Sequence, residues 1–176
     1  MPKSEQGLPA TPDRYTAIPR VLVFVFNGDD VLLLKGAPTK RIWANRYNGL
    51  GGHVEAHEDV YAAARREIGE ESGLSVTDLR LRGVVNVDIG RPTGIMLFVF
   101  TARSAIRETK ASEEGTLEWV PLRQLPQENL VKDIPALLAR IASMDEQAAP
   151  FFARYWYDEQ ENLQVSFAQE PDEACA

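Results

Sequence analysis

Gly51-Gly52-His53-Val54-Glu55-Ala56-His57-Glu58, running on to Arg66-Glu67-Ile68-Gly69-Glu70-Glu71-Ser72-Gly73-Leu74, is the stretch whose reading decides the fold. Between residues 58 and 72 the only glycine is Gly69, and Gly73 stands where a C-cap would end a helix. The spacing therefore predicts a helix of about four turns. On that helix Glu67, Glu70 and Glu71 are related as i, i+3 and i+4, so their carboxylates share one face. Like charges so spaced cost about 0.2–0.5 kcal/mol when exposed and more once water is removed. A divalent cation reverses that sign. Hard oxygen donors suit Mg²⁺ or Mn²⁺, and the lack of a His or Cys set at zinc spacing argues against zinc. Arg66 precedes Glu67 by one residue and Glu70 by four, a placement from which its guanidinium fork can orient a carboxylate.

Outward from this segment, residues 21–26 and 31–35 are β-branched and aliphatic runs around Asn27-Gly28-Asp29-Asp30, which has the composition of a hairpin turn. Residues 36–49 mix Gly, Pro, Asn and cations and read as a loop. Beyond the helix, residues 80–89 and 95–101 are strand-like, as is the shorter run 117–120. Ile134, Leu137, Leu138 and Ile141 fall at i, i+3, i+4 and i+7, the stripe of a second amphipathic helix introduced by Asp133 and Pro135. Residues 151–157 and 163–167 form a last hairpin. Mixed strands with two helices predict an α+β fold, an α/β sandwich with a mixed β-sheet packed between helices. The folded domain is expected over residues 18–168, between a flexible N-terminal arm, 1–17, and a flexible acidic tail, 169–176.

Composition narrows the setting. The 176 residues are 44% hydrophobic and 26% charged, which excludes a collagen-like or wholly disordered chain. The apolar runs fall far short of the roughly 20 residues that cross a bilayer, and residues 1–20 contain no apolar stretch for a secretory signal. With 26 acidic against 19 basic side chains the formal net charge is −7, so nucleic acid is not an expected partner. Nor is a membrane. The one cysteine, Cys175, can make no internal disulfide and fits a reducing cytoplasm. Exposed edge strands would support a homodimer, although nothing in the sequence requires one.

Taken together, Gly52, five residues, Glu58, seven residues, Arg66-Glu67-Ile68, one residue, Glu70-Glu71, one residue and Gly73-Leu74 resemble the complete signature of the Nudix hydrolase family. Average residue usage makes a chance match about 10⁻⁷ for the chain. The resemblance implies a Nudix fold whose loop-helix-loop, with Gly51-Gly52 turning sharply ahead of the helix, holds magnesium against a phosphoanhydride. It implies metal ligation by Glu67, Glu70, Glu71 and the Gly51 carbonyl, braced by Arg66 and Glu58. The catalytic set is then Glu70, Glu71 and Arg66. Glu71 or Glu70 takes the proton of the attacking water, with Glu113 or Glu114 from a later loop as the alternative.

Residues 43–54 are similar to the purine nucleoside triphosphate diphosphatases of the MutT-like branch, in which an asparagine ahead of the Gly-Gly pair faces the base. Asn48 matches it, and a carboxamide offers donor and acceptor to a purine edge. Asn48-Gly49 is also a common turn pair. Residues 111–120 resemble the acidic-loop-then-strand segment of bacterial oxidised-dGTP sanitising enzymes. Asp133 matches an aspartate that the branch sets against the base, yet also stands where the second helix needs an N-cap. Lys35, Lys40, Arg41 and His53 are candidates for the phosphate tail, and Gly52 and Glu114 complete the substrate-binding set. Trp43 and Tyr47 either stack on a base or wall the sheet, while Trp119, Trp156 and Phe98 read as core. The expected function is Mg²⁺-dependent cleavage of a nucleoside diphosphate derivative, foremost a purine (deoxy)nucleoside triphosphate such as 8-oxo-dGTP, to the monophosphate and pyrophosphate in nucleotide pool sanitation. ADP-ribose or a dinucleotide is the alternative substrate. The alternative class is a non-catalytic nucleotide sensor, against which the intact box glutamates argue.

Overall fold

In the first apolar run Val21, Val23 and Val25 join one buried cluster while Leu22 and Phe24 join another. A strand whose alternate side chains are buried on both faces must lie in the middle layer. The computed structural model describes residues 14–112 and 114–168 and bears this out. Eight strands form one mixed sheet: β1 (Thr16–Asn27), β2 (Asp30–Gly36), β3 (Tyr47–Asn48), β4 (Thr77–Val87), β5 (Thr93–Arg103), β6 (Gly115–Pro121), β7 (Phe151–Tyr157) and β8 (Leu163–Phe167). Their order is β3-β2-β1-β5-β4-β7-β8, with β6 also on β2. The pairs β1·β5 and β4·β7 are parallel and the rest antiparallel.

Helix α1 (Val60–Ser72) covers one face through Ala63, Ala64 and Ile68, packed with Val21, Val23, Val25 and Leu50. Helix α2 (Ile134–Ala142) covers the other through Ile134, Leu137, Leu138 and Ile141, packed with Leu22, Phe24, Val99 and Tyr155. The α/β sandwich therefore has two separate cores. Asp59 caps α1 by accepting the amides of Tyr61 and Ala62, and Gly73 ends it in the left-handed conformation with φ 72°.

The sequence reading missed β3, which lies in the expected loop 36–49, and set the start of β4 three residues late and that of β1 later still. β1 starts at Thr16 rather than near 21, because residues 16–20 pair in parallel with residues 93–97 of β5 through backbone groups. Their side chains, including exposed Ile18, carry no hydrophobic alternation to announce the strand. The arm before residue 14, the tail from residue 169 with Cys175, and Glu113 lie outside the described residues. Among the described residues no helix is long and apolar enough to cross a membrane.

Candidate active site

β2 pairs with β1 only at residues 25–27 of β1, which leaves the earlier part of that strand edge open. The Gly-rich loop fills it. Bridges Val23↔Leu50 and Arg20↔His53 splice residues 50–53 into the sheet, and Val21 N–H donates to the Gly52 carbonyl at 2.9 Å. The expected sharp turn at Gly51-Gly52 is thus an extended segment lying on β1. Glycine is required there for close approach: Gly51 has φ 145°, and a Cβ on it would strike the Val21 carbonyl. A Cβ on Gly52 would fall on the Glu67 carboxylate.

Below this loop, α1 presents its acidic face. Arg66 holds it together, with Nε and Nη2 donating to the two oxygens of Glu58 at 3.1 and 2.7 Å. Its Nη1 donates to Glu67 at 2.8 Å and Glu70 at 3.0 Å, and Nη2 also reaches the His53 carbonyl at 3.0 Å. These bonds hold the Glu58 carboxyl down to about 2, Arg66 being the main cause. Glu71 is turned the other way and accepts the Gly51 N–H at 2.8 Å. It is 6% exposed. Burial first, and then the charges of Glu114 and Glu67, push its carboxyl up to about 8 despite the Gly51 bond. Burial likewise raises Glu67.

The three glutamates therefore do not converge as the helical spacing alone suggested. Glu67 and Glu70 share one Arg66 nitrogen, Glu71 faces Gly51, and among the described residues no group of three His, Cys, Asp or Glu side chains is arranged to hold a metal ion. Like charges separate, and each takes the nearest donor. The donor set nevertheless suits a hard divalent cation: burial first and then neighbouring carboxylates raise Glu71 and Glu67, and among the described residues the Gly51 carbonyl accepts no hydrogen bond, while the Leu50 and Gly52 carbonyls are taken by Val23 and Val21.

A cavity of about 800 Å³ opens from this cluster across the α2 face of the sheet. Of the residues expected to meet substrate, Asn48, Gly52, His53, Glu114 and Asp133 line it, together with Gly51, Arg66 and Glu67. Glu70 and Glu71 are not in its wall, and neither is Lys35, whose Nζ sits 5.3 Å from the Tyr47 ring. Lys40 and Arg41 do not line it either, and Lys40 pairs with Glu114 at 2.6 Å. Asn48 shows the turn role, its Oδ1 accepting the Gly49 N–H at 2.9 Å, and the residue also lines the cavity. Asp133 stands at the start of α2 with φ −89° and ψ −19°, but its side chain makes no capping bond. Its carboxyl is instead raised by burial in the cavity wall.

The aromatic residues divide differently from expectation. Exposed Trp43 lines the cavity, whereas Tyr47 is buried and donates its hydroxyl to Glu118 at 2.7 Å. Phe98 and Trp119 pack against the α1-side core, but Trp156 belongs to neither core and lies under the Arg154 guanidinium, 5.2 Å away. Among the cavity residues that escaped the sequence reading are Arg20 and Tyr155. Tyr155 sits in an aromatic strand that reads as core, and its buried hydroxyl has no hydrogen-bond partner among the described residues. Arg20 precedes an apolar run and reads as a solvated flank.

A sheet between two helices, with Arg66 and acidic side chains of α1 under a glycine-rich strand, is the arrangement that the resemblance implied. The NUDIX domain model matches residues 16–141, and the chain belongs to the Nudix hydrolase family. It is 35% identical over 113 residues to the mouse oxidized purine nucleoside triphosphate hydrolase, covering 64% of this chain and 71% of the relative. The zebrafish protein of the same name is 34% identical over 106 residues, covering 60% and 67%. Among solved structures, the MutT protein of Bacillus halodurans superposes with a TM-score of 0.72 at 24% identity, covering 88% of this chain and 99% of that one. The bifunctional NMN adenylyltransferase/ADP ribose pyrophosphatase of Francisella tularensis, complexed with AMP and a Mn ion, shares the fold with a TM-score of 0.62 at 16% identity, covering 74% of this chain and 42% of that one.

Proposed function

We propose that this Nudix hydrolase cleaves purine (deoxy)nucleoside triphosphates, with oxidised forms such as 8-oxo-dGTP foremost, to the monophosphate and pyrophosphate. The observation that carries the reading is the composition of the cavity. Glu67 and Arg66 line it, and its wall also contains Leu22, Leu97 and Val131, with Asn48, Asp133 and Tyr155 among its polar side chains. Flat apolar walls with a few polar groups suit a nucleobase, whose edge needs both donors and acceptors. The Asn48 amide nitrogen donates. A carboxyl whose pKa is raised, as at Asp133, accepts when ionised and donates as well when protonated. The names of the mouse and zebrafish relatives support the same substrate class.

Glu67, Glu70, Glu71 and the Gly51 carbonyl would hold Mg²⁺ or Mn²⁺, which when bound neutralises the phosphate oxygens and polarises phosphorus. Arg66 keeps Glu67 and Glu70 oriented, and its grip on the His53 carbonyl ties the loop to the helix. Glu114, which lines the cavity outside α1, would take the proton of the attacking water on this reading. Glu71 is the competing base.

Turnover of 8-oxo-dGTP, dGTP, ADP-ribose and diadenosine polyphosphates in Mg²⁺ tests the substrate. The reading expects release of pyrophosphate from the triphosphates. Preference for ADP-ribose over every triphosphate overturns it, and nucleotide binding without any phosphate release would place the protein among sensors.

A further inference from the structure

Arg20 is a cation of this cavity that the reading above leaves unused. It lies on β1, where its backbone bridges to His53 on the glycine-rich loop and pairs with Leu97 of β5. By the two-residue period of the strand it shares the face of Leu22 and Phe24, the α2 side that carries the cavity. It also lines that cavity.

Several other guanidinium groups are occupied, and Arg140 of α2, whose Nε also lacks an acceptor among the described residues, does not line the cavity. Arg66 is committed to three carboxylates and a carbonyl. Arg46 donates to the Leu130 carbonyl, and Arg82 to the carbonyls of Asp145 and Glu146. Arg20 makes no hydrogen bond and no ion pair among the described residues, and its Nε is shut from solvent without an acceptor. Glu55 borders the same cavity but forms no ion pair with it. A buried charged donor left unpaired in a cavity costs stability unless a ligand supplies the acceptor.

Resting on the proposed function, we infer that Arg20 is a substrate-binding residue that grips the phosphate attached to the nucleoside. The guanidinium fork matches two oxygens of one phosphate, and such paired charge-assisted bonds bring geometry as well as attraction. Arg20 adjoins the loop over the carboxylate cluster on one side and the sheet floor carrying Leu22 and Leu97 on the other. It therefore stands at the junction of the hydrolytic cluster and the nucleoside pocket, which is where the nucleoside-linked phosphate passes.

The test is calorimetric titration of dGMP and of 2′-deoxyguanosine, without metal, into the wild-type chain, Arg20→Ala and Arg20→Lys. The expected result is that Arg20→Ala weakens dGMP binding on the order of tenfold to a hundredfold and leaves deoxyguanosine binding unchanged. Arg20→Lys should recover part of the loss, and in turnover KM for a triphosphate should rise more than kcat falls. Equal loss for both ligands, no selective loss for dGMP, or a wild-type chain that binds dGMP no better than deoxyguanosine overturns the assignment. Wild-type turnover of nucleoside triphosphates is scored apart: its absence removes the proposed function, whereas its presence beside an unchanged Arg20→Ala titration removes only the role of Arg20.

Discussion

Adding one methyl group at Gly51, Gly52 or Gly69 should produce three different outcomes, because the space around each differs. At Gly51 the backbone has φ 145°, a region almost confined to glycine, and the new Cβ would strike the Val21 carbonyl, whose carbon would lie at 2.9 Å. Val21 cannot retreat, since its N–H holds the Gly52 carbonyl and it pairs with Phe98 in the middle of the sheet. Strain and overpacking together give a loss of roughly 3 kcal/mol or more for Gly51→Ala. At Gly52 the Cβ meets the end of a side chain, with Glu67 Cδ at 2.8 Å. That carboxylate can swing aside, so the stability loss should be only about 1–2 kcal/mol. Displacing it from Arg66 nevertheless disrupts the acidic cluster, and turnover should fall far more than stability. Gly69 is a solvent-facing residue of α1 with nothing within 4 Å of its would-be Cβ, and Gly69→Ala should gain about 0.5–1 kcal/mol of helix propensity with activity retained. Urea unfolding of the metal-free proteins, with turnover in Mg²⁺, reads all three. A Gly51→Ala protein within about 1 kcal/mol of wild type, or a destabilised Gly69→Ala, would refute the placement of the loop against β1 and of α1 over the sheet.

Tyr155→Phe removes a buried hydroxyl that has no partner, so the metal-free protein should become more stable by on the order of 1 kcal/mol while KM for a purine triphosphate rises; an unchanged KM would take the hydroxyl out of the pocket. For Asp133, burial lifts the folded-state pKa above the ordinary aspartate value, so its stabilising protonated state is fully present below about pH 4 and lost as pH rises through the raised pKa. Asp133→Asn should therefore be the more stable protein near pH 7 and lose its advantage in acid, and urea midpoints that fall in parallel at both pH values would contradict this. Glu114→Gln should cut turnover at least about a hundredfold if Glu114 receives the proton, whereas full activity there and loss in Glu71→Gln would assign the role to Glu71. Arg66→Lys replaces a fork contacting three carboxylates and a carbonyl with a single ammonium, and should lower both Mg²⁺ affinity and turnover; a variant with wild-type metal dependence would show that the fork does not position the cluster.

Where side-chain periodicity carries the information, the sequence was a good guide. The stripe Ile134, Leu137, Leu138 and Ile141 packs as α2, and the Nudix box lies on a helix capped by Gly73. Where a backbone or a loop decides, it was not. Residues 16–20 join β1 through main-chain pairing that no side-chain pattern reports. Lys35 and Lys40 are as basic as phosphate-binding residues need to be, but tertiary contacts direct one to the Tyr47 ring and the other to Glu114. Asp133 has the identity of an N-cap and the position of one, yet backbone dihedrals in the helical region carry its carboxyl away from the amides it would have capped. Trp156 is aromatic and strand-borne like Tyr155, but only the neighbouring strands determine which of the two is enclosed.

The same geometry explains how chemistry and recognition are kept in register. β1 has two faces, and the odd residues Val21, Val23 and Val25 are locked under α1 while Arg20, Leu22 and Phe24 face the α2 side. The glycine-rich loop is bonded to the edge of this strand, so carboxylate cluster and pocket floor share one length of backbone rather than two jointed parts. A slip of one residue would bury Arg20 under α1 and expose a valine in the cavity, which the cost of burying an unpaired charge forbids. On the proposed function, substitutions at Asn48, Asp133 or Tyr155 should therefore change which base is accepted without moving α1. Substitutions at Gly51 or in the odd residues of β1 must disturb both functions together.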